Sequence, residues 1–271
     1  MSASSPEPVG QRPVLGVEQV TLGYGERAIS RDLDLQIRPG SFTVILGPNA
    51  CGKSTLLRSL ARVLTPSAGR IVLDGKDLHR LRARDVARRL GLLPQTALAP
   101  DGITVVDLVS RGRFPHRSLV RRWTDEDDAA VERALAATRT VELADRLVDE
   151  LSGGQRQRVW VAMLLAQETE LMLLDEPTTF LDIAHQYELL ELLRGFHEHG
   201  RTLVVVLHDL NQAARYATDL VVMHEGEVVT TGAPQDVVTP ALLRDVFSLD
   251  CLVVPDPASG TPMVVPTVCT R

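Results

Sequence analysis

A mainly apolar five-residue run, Phe42 to Leu46, leads into Gly47-Pro48-Asn49-Ala50-Cys51-Gly52-Lys53-Ser54, and a helical pattern then starts at Lys53 with Leu56, Leu57, Leu60 and Leu64 on one face. No other stretch restricts the fold as much, because G-x-x-x-x-G-K-S set between a strand and a helix is a loop built to hold phosphate. Its logic is electrostatic. Glycines let successive backbone N–H groups converge on phosphate oxygens, and the helix N-terminus adds positive potential. Lys53 can reach the β and γ phosphates of a nucleotide, the Ser54 hydroxyl can coordinate Mg²⁺, and Thr55 extends the first helical turn.

Around this unit the hydrophobic pattern predicts an α/β chain. Leu33, Leu35 and Ile37 alternate with Asp34 and Gln36 at the period of a half-buried strand, and Pro39-Gly40 turns the chain. Continuous apolar runs at Leu171 to Leu174, Thr202 to Leu207 and Leu220 to Met223 read as further strands of one mostly parallel sheet. Between Thr96 and Arg158 the pattern changes to Arg-rich loops and helices, with a helix start at Thr124, Glu126 and Asp127 ahead of Val131 to Ala137. After Pro240 a short helix, Ala241 to Phe247, leads to a Pro-, Gly- and Val-rich tail that either adds an edge strand or packs loosely.

Two more segments carry chemistry. Leu171 to Leu174 ends in Asp175 and Glu176, the form in which a strand delivers carboxylates to a bound nucleotide: Asp175 toward Mg²⁺, Glu176 as general base on the attacking water. Upstream, Leu151-Ser152-Gly153-Gly154-Gln155 places a good N-cap and two glycines at the start of a helix running on to Ala166, which makes a second anion-binding helix N-terminus. One phosphate chain does not need two such sites from one polypeptide, so this one is of most use when a second copy supplies it.

Together with His208 at the end of the Thr202 to Leu207 strand, these segments resemble the nucleotide-binding subunit of ABC transporters, from about Val14 to Val265. The resemblance implies a P-loop NTPase (RecA-like) core over residues 14–95 and 159–240, with an antiparallel β subdomain. It also implies an inserted α-helical signalling and permease-docking subdomain over 96–158 and a C-terminal extension over 241–271. Residue by residue, Gln95 matches the glutamine that senses Mg²⁺ and attacking water, and Tyr24 the aromatic that stacks on adenine. Asp182 matches the loop that crosses the dimer interface, and His208 the histidine on the γ-phosphate. The cofactors implied are ATP and Mg²⁺. The partners implied are a second ATPase subunit, integral membrane permease subunits and, through these, a substrate-binding lipoprotein, with the chain peripheral on the inner face of the plasma membrane. Thr104 to His116, notably Arg111-Gly112-Arg113-Phe114-Pro115-His116, and Asp182-Ile183-Ala184-His185-Gln186 are closest to the importer branch for ferric siderophores, haem and cobalamin. The first of these stretches reads either as a docking surface or as a solvated basic loop.

Composition sets the remaining bounds. With 271 residues and 44% hydrophobic content the chain can bury a full core, and a net charge of −6 argues against nucleic acid as a partner. Cys51, Cys251 and Cys269 are too scattered for a disulfide framework, and Cys51 puts a thiol beside the nucleotide. Ser2 to Pro13 reads as a disordered lead-in without an apolar signal core. Val159 to Ala166 and Leu203 to Leu207, the longest apolar runs, fall short of the ~20 residues that cross a bilayer. Arg80, Arg82, Arg84, Arg88 and Arg89, with Arg117, Arg121 and Arg122, read as a solvated face or as attraction to anionic lipid. A soluble ABC ATPase of DNA repair or translation is the alternative function. A P-loop kinase or GTPase is disfavoured by the absence of an Asn-Lys-x-Asp motif and by the presence of Leu151 to Gln155.

Overall fold

The computed structural model describes residues 14–25, 27–117 and 123–267. The expected lead-in over 1–13, Arg121, Arg122 and Cys269 lie outside the described residues. Two strands, β1 (Leu15–Tyr24) and β2 (Arg27–Ile37), form an antiparallel pair, and β3 (Phe42–Leu46) then carries the chain into the phosphate loop and α1 (Lys53–Leu60). The antiparallel sheet is completed by β4 (Ala68–Leu73) and β5 (Lys76–Asp77) in the order β2-β1-β4-β5. Helix α1 is one turn shorter than its leucine pattern predicts. Arg62 adopts φ +62°, and the N–H groups of Val63 and Leu64 both return to the Arg58 carbonyl, which caps the helix before Leu64 can join it.

A short α2 (Ala83–Arg89) leads into β6 (Leu90–Leu93), and the helices α3 (Val105–Ser110), α4 (Asp125–Ala137) and α5 (Gly153–Ala166) follow. The chain then alternates through β7 (Leu171–Asp175), α6 (Ile183–Glu198), β8 (Thr202–Val206), α7 (Leu210–Tyr216), β9 (Asp219–His224) and β10 (Glu227–Gly232). These strands form a sheet ordered β10-β9-β3-β8-β7-β6, parallel except for β10 at one edge. Every residue of β3, β7 and β8 is buried, as strands covered on both faces must be. One face of the sheet packs on α5, α6 and α7. The other, through Leu173, Val204 and Val206, packs on α1 and on the inner face of the antiparallel sheet, where Leu33, Leu35 and Ile37 point inward as their alternation predicts.

Helix α4 starts where Thr124 and Asp127 cap each other, Thr124 taking the N-cap. Helix α5 is continuous across residue 158, so the expected division of the chain there falls in mid-helix. The first turns of α5 are half buried apart from the exposed Gly153 and Arg156, and Val159 to Ala166 are buried except for the half-buried Met163. The arginines of α2 are not a free basic face: Arg84 and Arg88 donate to the Pro115 carbonyl, and Arg89 pairs with Asp74 and Glu170.

Among the described residues the tail adds no strand to the central sheet. After α8 (Pro234–Val237) and α9 (Pro240–Phe247), β11 (Cys251–Pro255) and β12 (Pro262–Pro266) make a separate hairpin. It is held on α7, where the Asn211 amide accepts from the Val264 N–H at 2.7 Å and donates to the Val264 carbonyl at 3.2 Å.

Candidate functional site

The Gly47 to Ser54 loop takes the shape its composition requires. Gly47 approaches the β9 end so closely that a Cβ there would lie 2.2 Å from the Met223 carbonyl oxygen, and Gly52, at φ +106°, forms the N-cap of α1. No side chain caps this helix, so its first amides stay open toward the loop. Lys53 is buried to 5% exposure and donates from Nζ to the carbonyls of Gly47 and Pro48, both at 2.8 Å, which holds the ammonium inside the curve of the loop.

Five polar side chains converge at the end of β7. Ser54 Oγ donates to Asp175 Oδ1 at 2.9 Å. Burial pushes the Asp175 carboxyl up from its ordinary value, against the Ser54 hydrogen bond that favours the anion. Glu176 sits at φ +51°, an uncommon conformation for a residue with a side chain, and its carboxylate is gripped from both sides. Gln95 Nε2 donates to Oε2 at 2.6 Å, and His208 Nε2 lies 2.6 Å from Oε1. Gln95 follows β6 and His208 follows β8, the strands on either side of β7, so the parallel sheet itself brings the three ends together.

A cavity of about 620 Å³ opens in front of this cluster, lined among others by Tyr24, Asn49, Ala50, Lys53, Ser54, Thr55, Glu176 and His208. Its size suits a nucleotide. Tyr24 is half exposed, and its hydroxyl accepts from Arg58. Sequence reasoning missed Arg27, Ile29 and Glu225, which also line the cavity from β2 and from the β9–β10 turn. The turn residues Glu225-Gly226 were the available signal; Gly226 at φ +87° allows contact with β2 and donates to the Cys51 carbonyl.

Two readings are corrected. The Cys51 thiol does not face the cavity: the side chain is 5% exposed and belongs to the apolar cluster beneath α1. Burial pushes its pKa up, with Lys53 pulling the other way, so the thiolate is disfavoured. Only the Cys51 backbone belongs to the loop. Arg113, read as part of a docking surface, is 1% exposed. Its Nε donates to Asp127 at 2.9 Å and its Nη1 to the Ala166 carbonyl and to Glu168, tying the 111–116 segment to α4 and to the end of α5. Its neighbour Phe114 remains exposed.

Ser152, Gly153, Gly154 and Gln155 do not line this chain's nucleotide cavity, and neither does Asp182. Ser152 Oγ accepts from the Gln155 N–H while Gln155 Oε1 accepts from the Ser152 N–H, a complete capping box. Asp182 caps α6 and pairs with His185 at 2.9 Å. Beside it Phe180, on the preceding loop, and Ile183, the first residue of α6, are 83% and 74% exposed.

A glycine-rich phosphate loop, paired carboxylates after β7 and a parallel sheet that adds a glutamine and a histidine define an ATP-hydrolysing P-loop protein. The ABC transporter profile matches residues 30–179, and the chain belongs to that family as an ATP-binding subunit. It is 54% identical over 250 residues, 92% of each chain, to the ferric enterobactin transport ATP-binding protein FepC of Escherichia coli (strain K12). Among solved structures, one described as a metal-chelate type ABC transporter in an inward-facing conformation is 28% identical, with a TM-score of 0.81 over 96% of this chain and 99% of its own. A dimeric bacterial ABC transporter cassette is 27% identical, with a TM-score of 0.73 over 81% of this chain and 98% of its own.

Proposed function

We propose that this chain powers an importer for a metal chelate, a ferric siderophore first among them, by closing on a second copy of itself around two ATP molecules and separating after hydrolysis. The observation that carries the hydrolytic part is Glu176, held at both carboxylate oxygens by Gln95 and His208 at the mouth of the phosphate loop. In this reading Glu176 takes a proton from the attacking water, Gln95 orients that water, and His208 contacts the γ-phosphate. Lys53 and the backbone N–H groups of Asn49 to Thr55 hold the β and γ phosphates, and Tyr24 stacks on adenine.

Among the described residues no cluster of three His, Cys, Asp or Glu side chains stands ready for a metal. A hydroxyl and a carboxylate already joined, as Ser54 and Asp175 are, fit Mg²⁺, which takes few protein oxygens and completes its shell with phosphate and water. Ser54, Asp175 and Gln95 would hold it, and when bound it neutralises charge developing on the phosphoryl oxygens.

Ser152 to Gln155 serve the ATP of the partner copy, with Asp182 beside them, and the exposed Phe180 and Ile183 support a covering protomer at this face. The permease docks on the 96–158 region, over a groove of about 740 Å³ where Arg117 stacks across Phe114 and Trp123. A lipoprotein delivers cargo to the permease from the other side. None of the helices among the described residues is long and apolar enough to cross a membrane, in keeping with attachment at the inner face of the plasma membrane through the permease. One variant tests the reading: Glu176→Gln should bind ATP, lose turnover by about 10²–10⁴-fold, accumulate as a dimer, and leave cells without ferric-siderophore uptake. Near-normal turnover overturns the general-base role, and normal uptake overturns the transport role.

A further inference from the structure

A second cavity, of about 530 Å³, lies where the C-terminal end of α4, the middle of α5 and the first turns of α6 meet. It shares no lining residue with the nucleotide cavity. Its walls are mainly apolar: Val161 and Leu189 are buried, and Tyr187 and Leu192 half buried. The Thr138 hydroxyl is occupied by bonds to the Ala134 and Leu135 carbonyls and to Thr140.

Arg158 enters this wall from α5. Its Nε is buried without a hydrogen-bond partner among the described residues, where the guanidinium also forms no ion pair. A guanidinium cannot discharge itself by losing a proton, so the positive charge stays. The other charged and titratable side chains around the cavity are accounted for. Arg139 lies 3.7 Å from Glu188, Glu191 accepts from the Tyr216 hydroxyl and pairs with Arg194, and His185 pairs with Asp182. What remains is an apolar hollow with a cation in its wall that has no ion-pair partner among the described residues.

We infer that this hollow binds a small amphipathic anion, an apolar body carrying a single carboxylate or sulfonate whose oxygens accept hydrogen bonds from Arg158. The volume falls in the ordinary range of ligand sites, and a planar guanidinium matches such an oxyanion in charge and shape. The location gives the site a consequence. Helix α5 begins at Ser152 and α6 begins directly after Asp182, so an occupant sits between the two helices whose leading ends serve the partner copy in the proposed dimer.

The test uses the full chain with 1-anilinonaphthalene-8-sulfonate as fluorescent probe and decanoate as competitor. Saturable one-to-one binding is expected, displaced by decanoate and not by ATP. Arg158→Met keeps the side-chain bulk, removes the charge and should weaken both ligands at least tenfold. Ala184→Trp, at the exposed rim, should block the mouth without touching the core, so the inference does not depend on the arginine variant folding. The assignment is overturned if no saturable binding occurs, if ATP displaces the probe, or if Ala184→Trp with a wild-type melting temperature binds both ligands as the parent does.

Discussion

The leading ends of α1 and α5 look alike in sequence, each opening on glycine and a polar residue, yet the structure finishes them in opposite ways. Helix α1 has a left-handed glycine at its N-cap, no side-chain cap and a buried lysine in front of it. Helix α5 has its Gln155 N–H taken up by Ser152 and the Ser152 N–H by Gln155, and its first turns are partly exposed. An uncapped end keeps its amides available at the cost of helix stability, so α1 is set for a ligand of its own. A capped end is stable alone and can exchange its internal bonds for a ligand's, which suits a surface that meets its ligand only when a second protomer arrives. The two ends also differ in anchorage: α1 is pinned at its front by Lys53, α5 at its rear by Arg113.

The rear anchor should give the largest effect. Arg113→Met leaves Asp127 buried and unpaired, a loss on the order of 3–5 kcal/mol, read as a fall in unfolding free energy by denaturant titration. The acid limb follows the same network. Burial works to raise the carboxyls of Asp127 and Glu168, but hydrogen bonds outweigh it, from Arg113 and Thr124 to Asp127 and from Arg133 and Arg113 to Glu168, and both lie below their ordinary values. Groups depressed in the folded state stabilise it above their unfolded pKa and lose that contribution as pH falls through the folded value, so wild-type stability should decline below about pH 4–5. Arg113→Met should flatten that decline; an unchanged acid limb would remove the network from the account.

The front anchor comes next. Lys53→Ala should weaken ATP binding by about 10–150-fold, the scale of a hydrogen bond to a charged group, with little change in melting temperature. A large loss of stability without loss of binding would show the lysine to be a structural peg. The smallest effect sharpens the contrast most. Ser152→Ala removes the α5 cap at about 1 kcal/mol and should leave ATP binding to the single chain intact while turnover at dimer-forming concentrations falls. If binding to the single chain fell with it, the two ends would not be divided between a protomer's own nucleotide and its partner's.

Segments whose local structure is written contiguously were legible from sequence. Gly47 to Ser54, Asp175-Glu176 and Ser152 to Gln155 are contiguous, and the strand and helix around each could be read from periodicity. What escaped depends on distant partners. Arg113 sits in a basic run, and nothing in that run announces Asp127 or Glu168, 14 and 55 residues away. Cys51 occupies a loop whose backbone faces phosphate while its side chain turns toward the core, a distinction that spacing does not encode. Arg27 and Glu225 reach the nucleotide cavity because two sheets meet there. Leu64 kept the helical period, but the left-handed turn at Arg62 ended α1 first.

The hairpin on α7 has proline at three of its four strand ends, Pro255, Pro262 and Pro266. A proline offers no N–H to an incoming strand, and two of these face each other in the Pro255–Pro262 pair. Leu252 and Val265, paired and exposed on the same hairpin, would otherwise make it an adhesive ribbon. With its ends blunted, the ribbon offers a copy of itself fewer free N–H groups to pair with, and an isolated two-stranded sheet can sit on the surface with less tendency to stack edge to edge.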